Sequence, residues 1–473
     1  MSGGSRTAVR SPLLLAAAVL GAVIIAEPGA ANGRTTAAPG AATASAATAW
    51  PQWRGPRGQG ISEDPDLPSA WSATENVRWK TAIPGRGHSS PVVWGNRVFI
   101  TTALEGPVVP GAGAVKHMKN GEEFLHPDSC CADRRQTLKV LAIDRDSGRI
   151  VWDFLAYEGT VHDARHSKNT YSSSTALTDG RRVYAFFEAE GLYALDFNGT
   201  LVWKTSLGKI AKNGMGPGVS PILYEDLLIL QCDSDEGDQS FIAAVHRDTG
   251  KEVWRTPRRH RRSHATPVLV RTPKRVEVVA SGEDATGEAS TVAYEAATGR
   301  ELWSGPGLNG NRAIPSPVVM DDIVVVSSGY PGKMTVAFRA GAAGNVAGTP
   351  AMLWKYPKSG AYVPSPIIYR GLVYLTTDKG ILTSLDVRTG AVHYEGGRVP
   401  VPATFFASPV AFGGRIFLTS EDGETYVIQA GPVHQVLRTN SLGERVYASL
   451  ALSQGHVFIR GEKHLYAIRQ HIP

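Results

Sequence analysis

The sequence predicts an all-β protein, an eight-bladed propeller of four-stranded antiparallel blades closed by an N-terminal strand that pairs with the C-terminal blade. Three features lead there. An opening strand motif recurs eight times, a closing motif ends most of the repeats, and the last repeat lacks one strand while the start of the chain has one to spare. A period of about 40 to 50 residues with several strands per unit is the propeller range.

The opening motif is a short strand, a polar or glycine turn and a second strand. It reads HSSPVVWGNRVFITT around Ser90, YSSSTALTDGRRVYAFF around Ser174, GVSPILYEDLLIL around Ser220 and HATPVLVRTPKRVEVV around Thr266. It continues as IPSPVVMDDIVVVSS around Ser316, VPSPIIYRGLVYLTT around Ser365, FASPVAFGGRIFLTS around Ser408 and YASLALSQGHVFIR around Ser449. The closing motif runs VLAIDRDSGRIVW to Trp152, LYALDFNGTLVW to Trp203, IAAVHRDTGKEVW to Trp254 and TVAYEAATGRELW to Trp303, with a fainter LTSLDVRTGAVHY to Tyr394. Its glycine falls four residues before the aromatic, at a turn position that disfavours a side chain. The tryptophans are expected on outermost strands, wedged between blades, with no ligand role. Val446 to Ile468 supplies three strands, and NVRWKT from Asn76 to Thr81 supplies the fourth, removing both sheet edges. Seven blades is the alternative, should the faint units around Ser408 and Ser449 merge. Blade five carries a Gly/Ala-rich excursion before Trp354.

Residues 1–31 read as a signal peptide: Arg6 and Arg10 precede an apolar run from Leu13 to Ala26, with Gly29, Ala30 and Ala31 beyond. That run is shorter than the roughly 18 to 20 residues a membrane span needs, so cleavage near Ala31 is expected to leave no transmembrane anchor. Residues 32–49 read as an Ala/Thr/Gly-rich linker, and residues 50–473 as the propeller domain. A periplasmic or extracellular location follows. Gly 51 and Pro 30 stay below the low-complexity range, and three cysteines exclude a disulfide-stapled scaffold. No C-x-x-C-H run is present, which excludes a covalently attached c-type haem. The net charge of +6 fits an acidic ligand, and a ring-shaped channel offers no extended stripe for nucleic acid.

The closing motif, the repeated SPV opening and the eightfold count resemble the pyrroloquinoline-quinone (PQQ)-like repeat propellers from Trp50 to Ile468. The leading PQWRGPRGQG is similar to the start of secreted members. That resemblance implies one of two kinds of protein: calcium- and PQQ-dependent alcohol or sugar dehydrogenases, or non-enzymatic assembly factors like BamB. PQQ-dependent alcohol dehydrogenases carry a vicinal disulfide against the cofactor, and Cys130 and Cys131 resemble it in kind and in first-blade position. A pair that merely staples its loop or stays reduced is the alternative. A metal site from His117, His126 and the two thiols fits no regular zinc spacing, so no metal is assigned. Cys232 is expected to be a buried, small apolar residue.

Loops should converge where blades cross over, so the chemistry is expected there. Four residues before the anchors stand Arg86, Thr170, Gly216, Arg262, Arg312, Ala361, Thr404 and Arg445; two before them stand His88, Ser172, Gly218, His264, Ile314, Val363, Phe406 and Tyr447. These rows are expected to form two tiers of a channel mouth that binds ligand through Arg86, His88, Arg262, His264, Arg312, Phe406, Arg445 and Tyr447, with the arginines acting as an anion funnel. Surface arginines that merely solvate a rim are the alternative. No aligned acidic set that would hold calcium, nor a base beside a quinone, stands on the opening strands; Asn169 and Asn311 lack acidic companions, and Asp163 is a generic candidate. The expectation is a monomeric, exported binding or scaffold protein for a small anionic ligand or an unidentified protein partner. A PQQ- and calcium-dependent oxidoreductase is the alternative.

Overall fold

Unbroken apolar runs such as FIAAV and IVVV give inner strands buried on both faces, and mixed polar and apolar residues give the half-exposed outer strand, as in EVWRTP. The computed structural model describes residues 48–119, 122–235, 239–284, 287–310 and 314–470. The expected signal peptide, Arg312, Asn311 and most of the expected linker lie outside them. Eight antiparallel sheets surround one axis, seven of four strands and one of five. Blade one runs Val92–Trp94, Arg97–Val108, Arg134–Asp144 and Ile150–Gly159, and its neighbours repeat that order. The last blade is closed from the other end of the chain: Val77–Ala82 pairs with His464–Ile468, Trp79 opposite Ala467 and Lys80 opposite Tyr466. The faint units thus stand as separate blades. The Gly/Ala-rich excursion of blade five adds a strand to its neighbour, with Gly344–Asn345 running parallel to the outer edge of blade four at Trp303 and Ser304.

The closing tryptophans other than Trp303, which bonds Glu277 within its own blade, tie their blade to the next. Trp152 donates its indole N–H to Phe197 O (2.9 Å), Trp203 to Arg247 O (2.9 Å) and Trp254 to Ala296 O (3.2 Å). Each ring lies on the turn glycine of the following blade. A Cβ on Gly199 would meet Trp152 at 2.8 Å and one on Gly250 would meet Trp203 at 2.5 Å. Trp79 repeats this across the closure, bonding Arg145 O (2.7 Å) and covering Gly148. Blade seven has no such tryptophan, and Trp71 from the N-terminal segment fills the gap, stacked 6.1 Å from Phe417 and held by Asn440.

A second ring runs round the inside. The hydroxyl of each anchor after Ser90 accepts the backbone N–H of the anchor before it, in seven bonds from Ser90 through Thr175, Ser220, Thr266, Ser316, Ser365 and Ser408 to Ser449, at 2.8–3.0 Å. This corrects the sequence alignment by one residue, because the anchor of blade two is Thr175 and not Ser174. Three serines in a row hid the register, which only the inter-blade bond reveals. The residues above it in blade two are accordingly Ser173 and Tyr171, in place of Ser172 and Thr170.

The leading segment closes the far side of the ring. Trp50 exchanges backbone bonds with Val93, Pro51 O accepts from Thr178 N, Gln59 Oε1 accepts from Val319 N, and Gly60 O accepts from Ala411 N. It therefore spans from blades one and two to blades five and seven. Ala49 is buried and Thr48 O accepts the Ser453 hydroxyl, so the first described residues, ahead of Trp50, already touch the fold.

Candidate functional site

With one end plugged, the channel becomes a cup of about 510 Å³ opening on the crossover face. All eight ring hydroxyls line it, and so does every residue two positions upstream: His88, Ser173, Gly218, His264, Ile314, Val363, Phe406 and Tyr447. The extended chain that leads into each opening strand explains this, since residues two apart in it point to the same face. The row four upstream does not form the expected second tier. Among the described residues only Arg262 and Thr404 of that row reach the cup. Arg86 and Arg445 are exposed outside it, with Arg86 Nη2 3.9 Å from Glu462 Oε1. The chain has already bent into the blade crossing there, and alternation no longer aims the side chain inward.

Arg262 is not a free cation: its Nη1 lies 3.4 Å from Asp235 and its Nε 3.9 Å from Glu283. The cup's lysines are Lys168, from the crossing into blade two, and Lys379, which sequence reasoning did not select, and Trp53 of the plug also lines it. Lys379 stands 3.6 Å from Asp378. Lys168 Nζ sits 5.4 Å from the centre of the Phe406 ring and 3.7 Å from Glu421. His88 stacks on Tyr447 (centroids 4.5 Å, 19° between planes), Phe406 leans on the same ring at 5.5 Å, and the Tyr447 hydroxyl donates to Glu421 at 2.8 Å. Burial, then Arg460, Arg86 and Arg165, push the His88 imidazole down to about 3, so it is neutral at physiological pH. Burial and the Glu421 bond push Tyr447 up to about 12. His264 faces Gly216 O at 3.2 Å. One side of the cup is thus an aromatic wall bearing a lysine, and the other carries Arg262 and His264.

The basic run before His264 alternates as an extended chain does. Arg259 and Arg261 are exposed, while Arg258 is fully buried in a paired contact with Asp233 (2.7 and 3.2 Å) and bonds Tyr294. His260 is buried against Ser290, so these two are structural.

Cys130 and Cys131 are joined in a disulfide. Ser129–Cys130 pairs with Arg165–His166, and His166 lines the cup, whereas neither cysteine does. His117 is buried 3.1 Å from Asp163, which also accepts the backbone N–H groups of Ala164 and Lys212, so the histidine and cysteines of that loop do not converge. Cys232 is buried and its thiol is pushed up by burial, as a small core residue.

The family described as outer membrane protein assembly factor BamB matches residues 61–208 and 134–396, most of the chain. The chain belongs to this family. No protein of curated function matches the sequence. BamB from Moraxella catarrhalis shares the fold with a TM-score of 0.51 at 16% identity, over 70% of this chain and 93% of that one. A quinohemoprotein alcohol dehydrogenase from Comamonas testosteroni gives 0.60 at 12% identity, over 91% and 82%. The quinohemoprotein alcohol dehydrogenase ADHIIG from Pseudomonas putida HK5 gives 0.56 at 12%, over 92% and 84%. At these identities the likeness is one of fold, and chemistry rests on the site.

The side chains of this BamB-family cup do not fit a PQQ and calcium pair. The carboxylates paired with its lining side chains, Asp128, Asp235, Glu283, Glu421 and Asp378, come from different blades and each faces a lysine, arginine or histidine. Asn169 spends its amide on Met215 O, Pro217 O and the Ser173 hydroxyl. Among the described residues no three acidic, imidazole or thiol groups gather as calcium or another metal requires. No helix among them is long and apolar enough to cross a membrane.

Proposed function

We propose that this BamB-family propeller is an exported binding protein whose cup takes a small, planar, anionic ligand. The observation that carries the reading is the cup lined by all eight blades, of the size that encloses small ligands. The His88, Tyr447 and Phe406 wall offers stacking, and Lys168, Lys379 and Arg262 offer charge. The apolar run at residues 13–26 supports export to the periplasm or beyond. Titration of the purified chain with aromatic and aliphatic di- and tricarboxylates, followed by tryptophan fluorescence and calorimetry, tests it. Aromatic carboxylates are expected to bind in a salt-sensitive way. K168A and R262A should each weaken them about tenfold, the loss of one charge-assisted contact. Equal affinity in the variants, or no carboxylate binding at all, would remove the reading. A second reading, a PQQ-dependent oxidoreductase, is favoured by the first-blade vicinal disulfide, which sits one residue pair behind the cup wall at His166.

A further inference from the structure

Beneath the cup, on the side closed by the plug, lies a cation with no counter-charge. Arg54 is 1% exposed, at the middle of the segment that crosses from blades one and two to blades five and seven. Its Nη2 donates to Gln59 O at 3.1 Å, while its Nε and Nη1 are buried with no acceptor. The guanidinium lies beside the axis: a Cβ on Gly60 would fall 3.2 Å from Arg54 Nε and 3.0 Å from Pro409 O, next to the ring anchor Ser408. Gly55, the residue after it, rests on the ring of Trp50, whose own indole N–H is buried without an acceptor. Burial alone holds the Arg54 guanidinium down, to about 9, with no carboxylate opposing it. Among the described residues no carboxylate forms an ion pair with it.

An arginine does not shed its proton to escape burial, and a buried charge without a partner is strongly unfavourable. Water can satisfy the two N–H groups but leaves the charge. We infer that the closed end of the channel is a binding site for a small monovalent anion of the halide class, held by Nε–H and Nη1–H of Arg54. A multivalent oxyanion would need more donors than the plug turns toward this point. The anion would complete the plug that carries Trp53, whose ring lies 5.6 Å from the Arg54 guanidinium carbon and lines the cup above.

The full chain, dialysed into gluconate, is titrated with chloride, bromide and nitrate at constant ionic strength while thermal unfolding is followed, and crystals grown in bromide are examined for anomalous scattering. The expected result is a Tm that rises on the order of 1 to 2 °C per tenfold of halide, with a bromide peak within hydrogen-bonding distance of Arg54. R54M, similar in volume without the charge, should lose the halide dependence, whereas R262A should keep it, which separates this site from the cup. Ordered water alone beside Arg54, a bromide peak without halide-dependent stability, or the same dependence in R54M would overturn the proposal. Should R54M fail to fold, the wild-type halide series and the bromide peak decide it.

Discussion

Glu190 sits behind the cup wall, in a crevice shared with Asp163, Tyr171, Glu188 and Pro217. Burial first, then the Glu188 and Asp163 carboxylates, push it up to about 7, against the backbone N–H of His162 that it accepts at 2.8 Å. A folded-state value above the unfolded one means the native state holds more protons between about 4.5 and 7. Its contribution is therefore present below that window and lost as pH rises through it. E190Q keeps an acceptor for His162 and cannot ionise. It should match the wild type near pH 4.5 and be the more stable at pH 8, the folding constants diverging by up to about tenfold per pH unit across the window. Parallel stability curves from chemical unfolding at several pH values would contradict this. Nothing in the sequence marks Glu190, because its shift depends on which blades close over it. His88, Arg262, His264, Phe406 and Tyr447 were legible, since strand alternation counted back from a ring anchor aims them inward. Arg86 and Arg445 were misread because the same count was carried past the end of the strand. Lys379 and Trp53 escaped notice because no repeat position marks them.

At the scale of the element, the repeat motif joins two blades more than it describes one. The glycine and tryptophan of a closing motif lie close in sequence, yet the ring that covers Gly250 is Trp203 of the preceding blade. Trp203→Ala should destabilise by about 3 kcal/mol, low in the range for tryptophan because the ring is only partly buried. Gly250→Ala should lose about 1 to 2 kcal/mol to its left-handed backbone, φ +67°, and more to the clash with the ring. In the double variant the clash is gone, so the two losses should fall short of additive. Additive losses in denaturant unfolding would mean that the contact carries no coupling. The strands, turns and outer tryptophans were readable from period-two patterning. The bond from each anchor N–H to the next hydroxyl was not, because it joins residues 41 to 85 positions apart and leaves no local pattern.

For the molecule as a whole, eight repeats, a ring of hydroxyls and a plug convert a through-channel into a cup, and the closing strand Val77–Ala82 holds the ring shut. Propellers of this shape include quinohemoprotein alcohol dehydrogenases, so shape alone does not choose between binding and oxidation. The proposed binding reading rests on the cup: a stacking wall and paired cations, with carboxylates already committed to lysine or arginine. The most direct test is a titration of PQQ into the purified chain, with and without calcium, following PQQ absorbance and dye-linked oxidation of alcohols and aldoses. The cup described here predicts at most weak, salt-sensitive and calcium-independent binding of PQQ as one more planar carboxylate, with no dye reduction. Stoichiometric, calcium-dependent retention with turnover that disappears in a Cys130→Ser, Cys131→Ser variant would contradict it.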